Sequence, residues 1–412
     1  MSDLSQESTL KKVLSLPVLV AALGYMVDMY DLFLFSIVRV PSLREIGVPE
    51  GEAMLKQGIY LLNLQTAGLL IGGIVWGILG DKRGRLSVLF GSILIYSLAN
   101  IANGFVTTVD QYAVLRFIAG FGLAGELGAG ITLVSEILPR TKRGYGTTLV
   151  ALMGLPGSIA AYFVVQIFDW RTSYIVGGVL GLMLLIMRVS VLESGMFSSV
   201  KHKNIKRGDV ALLFGNGKRA LKYLLSILIG LPIWFVVGIL ITFSPEFARE
   251  LGISESFNAG KAVMLAFTGQ VAGNLITGFL SQYLKSRKKV IALFILLSLS
   301  FVFVYLWAPI ESENMFYVVC MMLGLFNGYW TLFITVAAEL FGTNLRATVA
   351  TTVPNFVRGS VIILAWLFTM LRGPIGMTNG ALVTGLIAFA IALISLRYLE
   401  ETFSKDLDYV EE

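Results

Sequence analysis

The sequence predicts an all-α integral membrane protein, with twelve transmembrane helices arranged as two pseudo-symmetric six-helix bundles. Three observations carry that expectation. Only 14% of the 412 residues are Asp, Glu, Lys or Arg while 56% are hydrophobic, against roughly 25% charge in a soluble protein. A soluble domain of this composition would expose enough apolar surface to aggregate. The apolar residues fall into runs of about 20, the length that crosses a hydrocarbon core. Two motifs in the first half return in the second at nearly one offset.

Charge, Pro and Gly bound the runs at 14–39, 57–80, 85–105, 109–137, 145–168 and 171–191, then 220–247, 257–282, 289–308, 313–340, 345–371 and 377–399. The longest polar interruption, from Glu193 to Lys222, contains Lys201-His-Lys-Asn-Ile-Lys-Arg207 and separates six runs from six. We therefore expect a first bundle over 1–192, a linker over 193–219 and a second bundle over 220–412.

The net charge of +6 and pI near 9.2 would suit a nucleic-acid partner only if the basic residues formed one solvated face. They do not. With the N-terminus inside, the inner segments hold 23 of the 32 Lys and Arg residues and the outer segments 7, and Arg116 and Arg358 fall within spans. That asymmetry predicts both termini in the cytoplasm of a multi-pass inner-membrane protein. The acid-containing start Met1-Ser-Asp-Leu-Ser-Gln-Glu7 predicts no cleaved signal peptide. One cysteine, Cys320, and one histidine, His202 in the polar linker, supply no disulfide, metal set or histidine-based triad. No cofactor or metal is expected, and the chain is expected to act as a monomer in the bilayer.

The fourth run ends Glu136-Ile-Leu-Pro139-Arg-Thr-Lys-Arg143-Gly144, and the tenth ends Glu339-Leu-Phe-Gly342-Thr-Asn-Leu-Arg346-Ala347. The second run ends Gly77-Ile-Leu-Gly-Asp81-Lys-Arg-Gly84-Arg85, with a worn copy from Gly278 to Lys289. Two independent echoes argue for a duplicated six-helix unit, a common transporter plan that puts the substrate between the repeats. These motifs resemble the major facilitator superfamily over nearly the whole chain. Arg116-Phe-Ile-Ala-Gly120 through Glu126, Asp28-Met-Tyr-Asp31 and Asn355-Phe-Val-Arg358 resemble its metabolite:proton symporter branch, which includes sialate- and proline-type carriers. The sequence departs from the pattern at Leu86 and Gln282, where a base and an acid are usual. The resemblance implies a cytoplasmic gate that includes Gly77: Asp81 would meet the start of the eleventh helix, with Arg85, Glu136 and Arg143 around it. Glu339 and Arg346 would echo that network in the second half.

Five ionisable residues stand well inside spans: Asp28, Asp31, Arg116, Glu126 and Arg358. Each costs about 2.5–3.5 kcal/mol to insert, so such residues mark pathways. Asp28 and Asp31 share a helix face, with Tyr25 a turn away, and two neighbouring carboxylates suit proton uptake and release. Arg116 and Glu126 lie about 15 Å apart along one helix and need partners elsewhere. Arginine stays protonated, so Arg358 is expected to hold an anionic group, with Arg116 assisting. Asp28, Asp31 and Glu126 are the candidate proton carriers. Asn355, Trp234, Gln270, Asn274, Asn327, Tyr329 and Trp330 are candidates to complete the substrate pocket, although membrane aromatics more often pack or mark interfaces.

The function that follows is secondary active transport: proton-coupled import of a small anionic or zwitterionic metabolite by alternating access. Its rivals are a proton-coupled exporter and an importer of a larger organic anion such as a siderophore. Only part of an exporter's Gly-Pro pattern is present, at Gly154-Leu-Pro156-Gly157. A membrane enzyme would need a nucleophile with its base or metal ligands, and the spans contain no histidine. A continuous channel fits a two-half repeat with opposed buried charges less well than alternating access does.

Overall fold

The computed structural model describes residues 15–403 except 84, 129, 131–133, 135–142, 194–212, 254–256 and 343–344. Its helices form the twelve spans. The first six are Leu16–Glu45, Glu52–Arg83, Arg85–Asn103, Val109–Leu123 with its continuation from Glu126, Arg143–Ile167 and Trp170–Glu193. The eighth, ninth and twelfth are Ala259–Tyr283, Arg287–Trp307 and Met377–Tyr398. The seventh, tenth and eleventh are each interrupted.

Small polar residues set several starts. Thr108, Asn258, Ser286 and Ser312 accept a hydrogen bond from the backbone N–H three residues on, and Asn216 from that two residues on, satisfying donors the first helical turn leaves open.

The interruptions have sequence causes. The seventh span runs Gly217–Leu228, then Leu231–Phe235, a π-helical stretch Val236–Ile241 and finally Ser244–Glu250. Pro232 supplies no N–H at the first break. The tenth span is interrupted between Phe326 and Trp330; it supplies donors to the broken seventh span, and the eighth supplies an acceptor to it. Asn327 Nδ2 donates to the Ile233 carbonyl at 3.1 Å, and the Tyr329 hydroxyl to that of Ile229 at 3.3 Å. Asn274 Oδ1 accepts from Thr331 N at 2.8 Å, and its Nδ2 donates to the Gln270 carbonyl. Asn274 Oδ1, Asn327 Nδ2 and the Tyr329 hydroxyl, on residues expected at the pocket, thus bond to backbone at or near the breaks, where unpaired groups would be costly in a membrane.

The halves pack alike. The second span lies on the fourth as the eighth lies on the tenth, and the third on the sixth as the ninth on the twelfth. Glycine permits close crossings: a Cβ on Gly120 would fall 2.1 Å from the Gln65 carbonyl oxygen. Between halves, the second span meets the eleventh, and the first and fifth meet the eighth. Large apolar side chains such as Leu98, Phe279, Ile363 and Trp366 remain exposed on the outside of the helices, where lipid would cover them.

The first span is longer than the 14–39 run predicts, because Arg39 does not end it. Arg39 is fully buried, and its guanidinium reaches across to the other half. It donates to Glu246 at 2.7 and 2.6 Å and to the Thr242 carbonyl at 3.2 Å, and lies 4.6 Å from the Phe243 ring centre. Ser36 and Thr242 share a further hydrogen bond at 3.0 Å. Nearer the loops on this expected outer face, Arg372 pairs with Glu52 and Arg249 with Glu50, again between halves. Arg188, counted among the inner loop charges, is likewise buried. Moving one residue from each side leaves a basic asymmetry of 22 to 6.

Removing one partner of a buried pair strands the other charge, at about 3–5 kcal/mol. Glu246→Ala is therefore expected to lower the thermal unfolding midpoint clearly more than Glu50→Ala, whose carboxylate is exposed. Equal losses in purified protein would show that Arg39 has another anchor.

Candidate functional site

The first span carries Tyr25, Asp28 and Asp31 on one face and brings them to the centre of the molecule, all buried. Opposite them, the eleventh span changes course between Arg346–Gly359 and Val361–Ile375, placing Arg358 in the last turn before the break. Asp28 Oδ2 lies 3.8 Å from Arg358 Nη2. That distance permits attraction but is too long for a hydrogen bond. Among the described residues, neither Asp28 oxygen has a hydrogen-bond partner, nor do Arg358 Nε and Nη2 or the Tyr25 hydroxyl. A buried guanidinium with unused donors is a receptor for an anion.

Arg358 also lines a central cavity of about 20 Å³ with Met29, Phe33, Trp234, Phe267, Gln270 and Trp330 among its walls. That volume holds a water molecule and is far below the 300–1,000 Å³ of a small-molecule site. Substrate entry therefore requires the halves to move. The wall is aromatic: Phe33 lies 4.1 Å from Phe267 and 6.1 Å from Trp234 between ring centres, each across the halves, and Arg358 stands 6.0 Å from the Trp330 ring. Of the residues expected to bind substrate, Arg358, Gln270, Trp234 and Trp330 meet here. Tyr25 is beside Arg358.

Arg116 does not join them. Its Nη2 donates to Asn100 Oδ1 at 2.6 Å, and its guanidinium lies 4.5 Å from the Tyr174 ring centre. Asp31 faces the same cluster inside the first bundle, with its Oδ1 placed where a Cβ on Gly177 would come within 2.2 Å. Both Asp31 oxygens and Arg116 Nε and Nη1 lack hydrogen-bond partners among the described residues. The contacts of Arg116 are thus to the first half, and it does not line the cavity beside Arg358.

Glu126 has the contact that weakens its candidacy as a proton carrier. Arg188 grips both its oxygens, with Nη1 3.1 Å from Oε2 and Nη2 on Oε1. Nη1 also donates to the Leu89 carbonyl. Gly24 makes room for the pair, since a Cβ there would lie 2.1 Å from Arg188 Nη2 and 2.2 Å from Glu126 Oε1. Sequence reasoning missed Arg188, Asn100 and Arg39. Two stand at the ends of apolar runs, where a basic residue ordinarily reports topology.

On the expected inner face, Gly77 does approach the eleventh span: a Cβ there would sit 4.0 Å from Thr352 Cγ2. Glu136 and the side chains of Asp81, Arg85 and Arg143 lie outside the described residues. In the second half, Glu339 pairs with Arg287 at 2.7 and 2.8 Å, while Arg346 donates to the Ala338 and Phe341 carbonyls. The Glu339–Arg287 pair ties the tenth span to the ninth. Glu401, just beyond the twelfth span, accepts from the Ser286 hydroxyl and the N–H groups of Arg287 and Lys288, closing the same corner. On the expected outer face, a cavity of about 720 Å³ opens between the halves among Arg44, Glu50, Glu246, Arg249, Gln166 and Asn258.

Residues 21–365 match the family model of the Major Facilitator Superfamily. The chain is 24% identical over 382 residues to the 4-hydroxybenzoate transporter PcaK of Pseudomonas putida, covering 81% of this chain and 85% of that one. It is 30% identical over 179 residues to the niacin transporter NiaP of Acinetobacter baylyi, covering 42% and 40%. To the sialic acid transporter NanX of Escherichia coli it is 29% identical over 189 residues, covering 45% of each. Its fold is similar to a partially occluded inward-open structure of the xylose transporter XylE from E. coli, with a TM-score of 0.72 at 15% identity, covering 96% of this chain and 100% of that one.

Two outcomes follow from these contacts. Gly24→Ala is expected to lower thermal stability sharply by displacing the Glu126–Arg188 pair, and the loss should shrink in a Glu126→Gln, Arg188→Met background where no pair remains. An undiminished loss would place the clash elsewhere. Burial pushes the Glu401 carboxyl up, but its bonds from Ser286, Phe403, Arg287 and Lys288 outweigh this and hold it below the ordinary glutamate value of 4.5. Its contribution to stability is then present above that value and fades as pH falls through the lowered one. Glu401→Gln should flatten this acid limb in thermal scans.

Proposed function

As the chain belongs to the Major Facilitator Superfamily, it is a multi-pass membrane transporter, and we propose that it imports a planar or cyclic organic monocarboxylate together with a proton. The 22 to 6 basic asymmetry supports cytoplasmic termini in a bacterial inner membrane, and the polar stretch 193–219 serves as the link between bundles. The single observation that carries the reading is Arg358, fully buried in an aromatic cavity with unused donors and an acid 3.8 Å away. Several relatives are described as carriers of ring carboxylates: PcaK of 4-hydroxybenzoate and NiaP of niacin.

Charge balance supplies the coupling. With all groups ionised, Asp28, Asp31 and Glu126 offset Arg116, Arg188 and Arg358. A proton on Asp28 leaves this buried set one positive charge in excess, and a monocarboxylate on Arg358 restores neutrality. Proton and anion thus lower one another's cost of entering a low-dielectric centre. Asp31, next in the same face and also without hydrogen bonds, is the second acid on the proton route. Glu126, tied to Arg188, holds the first bundle together.

The test uses proteoliposomes and radiolabelled nicotinate, benzoate and 4-hydroxybenzoate. Uptake of at least one is expected to rise with an inward proton gradient and collapse with a protonophore. Arg358→Lys, which keeps the charge but loses the planar fork, should weaken apparent affinity about 10- to 100-fold, the value of one or two charged hydrogen bonds. Asp28→Asn should abolish the gradient response while retaining exchange of labelled for unlabelled solute. Gradient-independent uptake by the unaltered protein would sink the coupling scheme.

A further inference from the structure

We propose that Asn355 is a positioning residue that ties closure of the inner contact surface to the aim of Arg358. It is buried one turn before Arg358 on the eleventh span. Its Nδ2 reaches across the halves to the Ala124 carbonyl at 2.9 Å and also donates to the Thr351 carbonyl at 3.2 Å. Its Oδ1 accepts from Arg358 Nη1 at 3.5 Å. One planar amide therefore has its nitrogen fixed by the first bundle and its oxygen turned to the guanidinium of the second.

The surroundings make this contact sensitive to closure. Ala124 lies where the fourth span is interrupted, at the turn Ala124–Gly125. Gly73 of the second span leaves space for the amide: a Cβ there would stand 3.0 Å from Asn355 Cβ and 3.1 Å from Nδ2. One turn back along the eleventh span, Thr351 fills the space beside Gly128, where a Cβ would meet its side chain at 2.2 Å. Parting the halves here removes the Ala124 acceptor and leaves the amide held through its nitrogen by the Thr351 carbonyl of its own helix alone, so the partner of Arg358 Nη1 is less firmly fixed. Opening the inner side thereby loosens the anion-holding group at the moment when solute must leave. The bistable element is the spans 2 and 4 contact with span 11, and Asn355 is its connection to the site.

The test needs no substrate and so stands apart from the identity of the solute. Cys320 is the chain's one cysteine and is buried, so Cys320→Ser with Thr351→Cys gives a reporter of the inner surface by its rate of reaction with N-ethylmaleimide. Asn355→Ala is expected to raise that rate about tenfold. Arg358→Gln should raise it as well, and the double variant should show less than the product of the two effects, since both break one connection. Asn355→Gln, which keeps both amide functions, should recover part of the closure. Gly73→Ala disturbs the same amide from the other bundle without altering it and should raise the rate about twofold to threefold; it carries the test if Asn355→Ala does not yield monodisperse protein. An unchanged rate in Asn355→Ala or Gly73→Ala, or strictly multiplicative effects of the Asn355 and Arg358 changes, would overturn the proposal. Weaker nicotinate binding in Asn355→Ala with an unchanged labelling rate would make Asn355 a substrate ligand instead.

Discussion

Everything at the centre of this protein depends on the cost of holding charge away from water. The Arg358 guanidinium does not reach solvent. It must be offset by an anion, and the acid placed near it belongs to the other bundle. That arrangement makes the two halves electrically incomplete alone. In the transport scheme proposed above, the separation of 3.8 Å leaves room for competition: a proton for the acid, a carboxylate for the arginine. A closer and better-bonded pair would stabilise the assembly but withhold the arginine from its ligand.

The same chemistry appears with three degrees of engagement, and the differences sort the residues. Glu126 and Arg188 meet fork to carboxylate within one bundle, an arrangement that resists exchange. Arg116 is held by Asn100 and an aromatic face, with Asp31 alongside but not bonded. Asp28 and Arg358 are the loosest and span the halves. Arg39 and Glu246 repeat the tight form across the halves toward the expected outer face. A tight pair between bundles must be broken for that face to open, so its strength sets the population of the closed form, whereas a tight pair inside a bundle travels with it.

The fold was legible because span length, loop charge and repeated motifs report on the bilayer itself. Asp28, Asp31, Arg116, Glu126 and Arg358 were conspicuous for the same reason, being costly residues in apolar runs. Their partners were not legible. Nothing local distinguishes Arg39 or Arg188 from a snorkelling residue at a helix end, because burial there depends on Glu246 and Glu126, distant in sequence. The polar residues of the later spans were legible only in part. Asn274, Asn327 and Tyr329, expected at the pocket, bond to backbone at or near the breaks, and the adjoining Gly230, Pro232 and Gly328 were the available sign that backbone would need such help. Trp234, Trp330 and Gln270 do reach the cavity.

The repair of the seventh span by the tenth has an evolutionary corollary. Asn327 and Tyr329 supply donors to carbonyls in a helix almost a hundred residues earlier, so neither the kink nor its remedy is useful alone. A lineage that straightened the seventh span by losing Pro232 would relieve selection on both donors, and one that lost the donors first would carry unsatisfied carbonyls in the membrane. These positions should therefore vary together among descendants of the same ancestor, while the side chains that line the nearby cavity can drift as the shared break stays fixed.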